Sequence, residues 1–209
     1  MMALAAVRAD PNWNVVGLVT AVTAGDDRIS IHGVRRAILH AQAESIGLPV
    51  VEAWLEPTSS NEAYEAAWEL ALLSANDTLG AVRHVAYGDL FLADVRAYRD
   101  ALMTRLGYVS MYPLWEQPTA TLAHAFIADG YRAVLTCVDT TQIGAEFAGR
   151  EYDERLLADL PVGADPCGEH GEFHTCVLSG PMLRSPLQVE IGERVLRNDR
   201  FQYCDLILT

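Results

Sequence analysis

The strongest constraint on the fold is a series of short apolar, β-branched runs separated by segments of helical period. Residues 14–22 (NVVGLVTAV) form the first run, and 48–55, 82–87 and 133–138 have the same character. Each reads as a strand buried on both faces, as in a parallel sheet. Between the first two, Val34, Ile38, Ala41 and Ser45 mark a helix that Gly47 closes. A longer helix follows, with Tyr64, Ala67, Trp68, Ala71 and Leu72 on one face and an S-x-x-E box, Ser59 with Glu62, at its start. Leu92, Val95, Leu102 and Leu106 mark a third. Strands alternating with helices predict an α/β fold with right-handed crossovers.

The pattern changes after Pro113. Pro118 suits a first helical turn and Gly130 a helix end, which predicts a helix over 118–129. Beyond about Thr140 the chain is rich in Gly and Pro, and two alternating segments, 186–196 and 200–208, are joined by Asn198 and Asp199 as turn residues. Two domains are therefore expected, an α/β domain over 1–112 and a smaller C-terminal α+β lobe over 113–209.

Composition removes several function classes. All fifteen basic residues are Arg, so Schiff-base chemistry and phosphate recognition by a lysine have no ε-amine to use. The net charge of -13 opposes binding to nucleic acid, which needs many phosphates neutralised. A hydrophobic content of 51% supports a substantial core, yet no run is long enough to span a bilayer. No basic, apolar leader opens the sequence. A cytoplasmic protein without membrane contact is expected. Four cysteines, Cys137, Cys167, Cys176 and Cys204, do not make a disulfide framework in a chain of this length.

The densest chemical vocabulary is DPCGEHGEFHT, residues 165–175. Gly168 and Gly171 permit a tight backbone path, while Glu169, Glu172 and His174 place two carboxylates and an imidazole within six residues. If the chain is extended from Glu172 onward, Glu172 and His174 share one face, suited to binding Mg2+, orienting an amine or moving protons. A polar turn entering a hairpin would use the same residues. Cys167, His170, His174 and Cys176 could also ligate zinc, but their spacing matches no standard zinc motif, and cysteines as ordinary small buried residues are the better reading.

Two further stretches qualify. Tyr87-Gly88-Asp89 ends a strand before a helix, where α/β sheets gather ligands, so Asp89 is placed at a site edge or as a helix cap. Arg96 and Arg99 on that helix could meet phosphate or remain solvated. His32, Gly33 and Arg35, with Arg36, precede another helix, whose N-terminus favours anions. Trp115 reads as core or as a pocket lining.

YGDLFLADVRAYR, MYPLW and DPCGEHGEFHT, in this order and spacing, resemble the diphthine-ammonia ligase family, described as ATP-binding domains of the PP-loop ATP pyrophosphatase group. IHGVRRAILHAQAESIGLPV resembles the family's segment between its second and third strands. The resemblance implies a parallel-sheet, Rossmann-like adenine nucleotide hydrolase domain followed by a family-specific lobe. It implies ATP and Mg2+ as cofactors, a small-molecule or protein-borne carboxylate as substrate, ammonia as nucleophile, and it is compatible with a homodimer. In the implied reaction ATP converts a carboxylate to an acyl-adenylate, and ammonia displaces AMP.

The resemblance places Glu169, Glu172 and His174 on the nucleophile or metal, and Asp89 at the site wall. His32, Gly33, Arg35, Gly88, Arg96, Arg99, Cys167, Gly168, Gly171 and Thr175 then lie near nucleotide or substrate. Two departures stand out. The family's SGGKDS phosphate loop is not among these residues, and MMALAAVRADP resembles the helix that follows it. His170 replaces the Asn of the related bacterial pattern GENGEFHT. A non-catalytic binding protein that keeps the pocket is the alternative. A tRNA-thiolating relative fits poorly with the acidic balance and the lack of a paired-cysteine motif.

Overall fold

Apolar runs and helical periods do alternate along the chain, but they sort into two separate units. The computed structural model describes residues 1–209. In chain order its elements are α1 (Met2–Ala9), β1 (Leu18–Thr23), β2 (Arg28–Ile29), α2 (Arg36–Ile46), β3 (Val50–Leu55), α3 (Asn61–Leu79), β4 (His84–Ala86), α4 (Ala93–Leu106) and β5 (Val109–Met111). Then follow α5 (Thr119–Ala128), β6 (Arg132–Asp139), a 3-10 turn (Ala145–Phe147), α6 (Glu154–Asp159), β7 (Phe173–Ser179), β8 (Val189–Arg197) and β9 (Phe201–Leu208). No helix is long and apolar enough to cross a membrane.

One unit comprises Met1–Gly25 with Leu48–Gln117, the other Asp26–Gly47 with Pro118–Thr209. The expected division at 112/113 thus shifts to 117/118, and the 26–47 segment joins the second unit, making it the larger. Burial explains the reassignment. Val34 and Ile38 pack with Val134, Cys176, Leu187 and Leu206 in a single cluster. Gln42 Nε2 donates to the Val177 carbonyl at 2.7 Å, and the Ser45 hydroxyl donates to the Ser185 carbonyl at 2.8 Å. Gly47, at φ 75°, ends α2 as expected.

In the first unit β1 pairs with β3, and β4 with β5, both in parallel. Helix α3 supplies Trp68 and Ala71 to the cluster beneath β3 and Leu72 to the one around Val85, Tyr87, Leu102 and Met103. Its cap lies one residue beyond the expected position. Ser60 accepts from the Ala63 amide, whereas the Ser59 hydroxyl donates to the Glu56 carbonyl and closes the preceding turn. Residues of α1, the approach to β1 and β4 line an apolar cleft of about 440 Å³.

The second unit is built on an antiparallel sheet of order β7-β6-β9-β8. Strand β6 is the run expected to be parallel. It is instead the antiparallel partner of β7 and β9, with every residue from Ala133 to Asp139 buried. A strand covered on both faces has the same apolar pattern in either type of sheet, so the run alone did not determine direction. Asn198 and Asp199 both take positive φ between β8 and β9, as a tight hairpin requires. The chain is thus mixed α/β, with parallel pairs in one unit and an antiparallel sheet in the other.

Candidate functional site

The 165–175 loop is organised from within by Glu172. Its side chain is only 2% exposed, and its two oxygens accept the amides of Asp165 at 2.7 Å and His170 at 3.0 Å. Asp165 Oδ1 in turn accepts from the Cys167 and Glu169 amides. Two carboxylates thereby absorb four backbone donors that would otherwise be stranded in a tight path. Gly168 is required there. It sits at φ 70°, and a Cβ would lie 2.7 Å from the Phe173 carbonyl oxygen. Gly171, also at positive φ, has open space around it.

The loop delivers the chain into β7 and brings His174 against His32, their ring centroids 4.5 Å apart and tilted by 43°. Burial pushes the His174 imidazole down to about 4, assisted by the neighbouring His32. Burial lowers His32 as well, opposed by its hydrogen bond to the Thr175 backbone. Both rings are therefore uncharged at neutral pH, each with one nitrogen able to accept and one able to donate. The half-buried Cys167 thiol is pushed up to about 12 by desolvation and by the neighbouring Asp165 and Glu169. Its sulfur donates to the Thr119 carbonyl.

Gly33 fixes the entry to this pair. At φ 68° it lies over Tyr203, whose ring a Cβ would meet at 2.5 Å. Gly33→Ala is expected to cost about 2 kcal/mol or more of stability, from strain and overpacking together, as measured by urea denaturation. An unshifted midpoint would show that the Tyr203 ring yields freely.

Arg35, a residue expected near nucleotide or substrate, pairs with Asp205. Its Nε donates to Asp205 Oδ1 at 3.0 Å and its Nη2 to Oδ2. Arg28 donates to the same carboxylate and to the Gly33 carbonyl. The Arg35 hydrogen bond, partly offset by burial and aided by Arg28, holds the Asp205 carboxyl down at about 2. Arg35 thus anchors the segment carrying His32 to β9. The sequence offered no sign of this, since Asp205 lies 170 residues from Arg35 in an ordinary strand. Asp139 was likewise unmarked. Buried at the end of β6, it accepts from Arg200 at 2.6 Å and from Thr141 and Gln142, and Gln142 also reaches the His170 carbonyl at 3.4 Å.

The remaining candidates form a separate cluster in the first unit. Asp89 does not cap α4, whose N-cap is Leu92; it lies 3.2 Å from Arg99 Nε. Arg99 stacks on Tyr87 at 4.5 Å, and Arg96 sits over Tyr112 and Trp115 at 4.7 and 4.5 Å. Trp115 is thus a platform for a guanidinium. Gly88 has ordinary space around it, the nearest atom to its absent Cβ being Ala3 Cβ at 3.9 Å. No group of three or more His, Cys, Asp or Glu side chains is gathered to hold a metal.

Residues 118–206 match the family model described as the diphthamide synthase C-terminal domain. A diphthine–ammonia ligase of Schizosaccharomyces pombe is 25% identical over 126 residues, covering 58% of this chain and 21% of that protein. The chain thus aligns with about a fifth of that relative's length. The match takes in α5, β6, the Glu172-centred loop and most of β7 through β9, so the similarity to the diphthamide synthase C-terminal domain falls on the antiparallel unit described above.

Proposed function

We propose that this chain serves an ATP-dependent, amide-forming ligase reaction of the diphthine–ammonia ligase type. The observation that carries the reading is the 165–175 loop, lying within the family match and presenting a neutral His174 beside His32. In the reaction a carboxylate oxygen attacks the α-phosphorus of ATP and pyrophosphate leaves. Ammonia then attacks the acyl carbon to form the C–N bond, its nitrogen loses a proton, and the AMP phosphate oxygen departs with the electron pair of the broken C–O bond. An uncharged imidazole can hold the ammonia by its acceptor nitrogen and take the released proton. A charged one would do neither. Glu169 stands on the same loop as a second acceptor at its rim, and Glu172 acts as a positioning residue through the loop backbone.

The first unit is read as the adenine nucleotide hydrolase-like part, with its parallel pairs β1/β3 and β4/β5. Asp89, Arg96 and Arg99 follow the carboxyl end of β4, where such sheets bind ligands. Arg96, flattened on Tyr112 and Trp115, can offer its N–H edge to a phosphate. No step is assigned to Mg2+. The alternative is a non-catalytic protein that keeps the pocket and binds nucleotide or substrate without turnover.

Calorimetric titration of Mg-ATP into the chain, with ammonium and an elongation factor carrying diphthine present, separates the two. AMP release that falls at least tenfold in His174→Ala, with nucleotide affinity retained, supports the ligase. Binding without AMP supports the binding protein. Turnover unchanged in His174→Ala would remove the imidazole from the mechanism.

A further inference from the structure

Strand β8 is the outer strand of its sheet and pairs with β9 alone. It is nine residues long, and Glu190, Ile191 and residues 193–197 are exposed. Long open edges are usually guarded against pairing with a second chain by Lys or other charges, by Pro, by a bulge or by a covering element. This one, Val-Glu-Ile-Gly-Glu-Arg-Val-Leu-Arg, has no Lys or Pro, and its charges and bulge are placed so that they match a second copy. It exposes Ile191 by 49%, Val195 by 38% and Leu196 by 50%.

Its pattern is complementary to itself. The bulge between Ile191 and Arg194 resets the alternation, so that Ile191, Arg194 and Leu196 stand opposite Leu206, Cys204 and Gln202 on one face. Glu190, Val195 and Arg197 stand opposite Ile207, Tyr203 and Phe201 on the other. Consider a second copy of β8 laid antiparallel, about a two-fold axis normal to the sheet at Arg194, which then meets its own copy on the axis. Ile191 then faces Leu196 of the second copy, and Glu190 faces Arg197 of the second copy, each pair on one face. In a regular strand residues 191 and 196 would point to opposite faces, so the bulge is what makes the register consistent. Two Glu and two Arg also leave the edge locally neutral within a chain of net charge -13, which removes the repulsion that keeps the rest of the surface apart.

We propose that β8 pairs with β8 of a second copy and joins two four-stranded sheets into one. This isologous contact is narrow, at the low end of specific interfaces, so association is reversible and concentration-dependent. Sedimentation velocity from micromolar to near-millimolar protein should show a monomer–dimer equilibrium. Glu190→Arg and Arg197→Glu alone should each raise the dissociation constant about tenfold or more, by placing like charges opposite one another. The double variant should restore it, although it also gives up the 3.5 Å contact of Arg197 with Asp26. Ile191→Lys should weaken it comparably without touching that contact. A monomer at every concentration, a dimer indifferent to Arg197→Glu and Ile191→Lys, or no recovery in the double variant would each overturn the proposal.

Discussion

Glu172→Ala is expected to destabilise the second unit by about 3–5 kcal/mol, the removal of two hydrogen bonds to a charged group in a buried setting. The carboxylate is 2% exposed, so water cannot readily replace its oxygens at the Asp165 and His170 amides. Glu172→Gln should lose less, about 2 kcal/mol, because one amide oxygen still accepts while the NH2 faces a backbone donor. Glu172→Asp falls one methylene short of both amides. Denaturant midpoints give the order, and proteolysis at the loop gives its location, since a loop released from its anchor becomes cleavable before the sheet unfolds. If Glu172→Ala melts like the parent and its loop stays protected, the carboxylate is not what holds the loop. Its effect on any turnover would then have to be direct.

This role marks the limit of what the sequence made legible. The motif was visible as a dense cluster, and its glycines do take the conformations that tight turns demand. The division of labour between its two glutamates was not visible, because alternation along a strand gives the face of a residue but not the direction of its carboxylate. Glu172 precedes β7 and turns inward to the loop backbone. His32 and His174 were both recognised, from separate segments, and the structure brings them into ring contact. The two ionic anchors, Asp205 with Arg28 and Arg35, and Asp139 with Arg200, have no such mark in the sequence. Each joins residues far apart in sequence, and an isolated Asp in a strand carries no local signature of its partner.

The strand runs show the same distinction at the level of the fold. Their hydrophobicity identified β1, β3, β4 and β6 as strands, but only the first three lie in parallel pairs. Direction depends on the connection. Residues 48–117 alternate strand and helix, and β4 and β5 return in parallel, whereas β8 and β9 meet through a three-residue turn that permits only antiparallel pairing. The α2 segment was assigned by its position in sequence, yet Val34 and Ile38 pack against β6, β7 and β9.

The neutral imidazole pair predicts a specific acid response. The imidazole of unfolded His174 takes up a proton near its ordinary 6.5, but in the folded protein it does so only near 4. As pH falls through that interval the unfolded chain binds a proton that the folded one refuses, so stability is complete above about 6.5 and declines until about 4. His32, lowered for the same reason, adds to the decline. For His174 the full difference would amount to about 3 kcal/mol. Asp205, held at about 2 by its arginines, works in a lower window. Its stabilisation is intact above the ordinary carboxylate range near 3.8 and is lost only as pH drops towards 2. The two contributions can therefore be separated by pH. His174→Asn, which keeps polarity but cannot titrate, should flatten the denaturation midpoint between pH 6.5 and 4 and leave the steeper loss below it. A curve for His174→Asn parallel to the parent's across that interval would show that the imidazole pair is not buried in the way its geometry demands. It would also remove the reason for assigning a neutral base to the site.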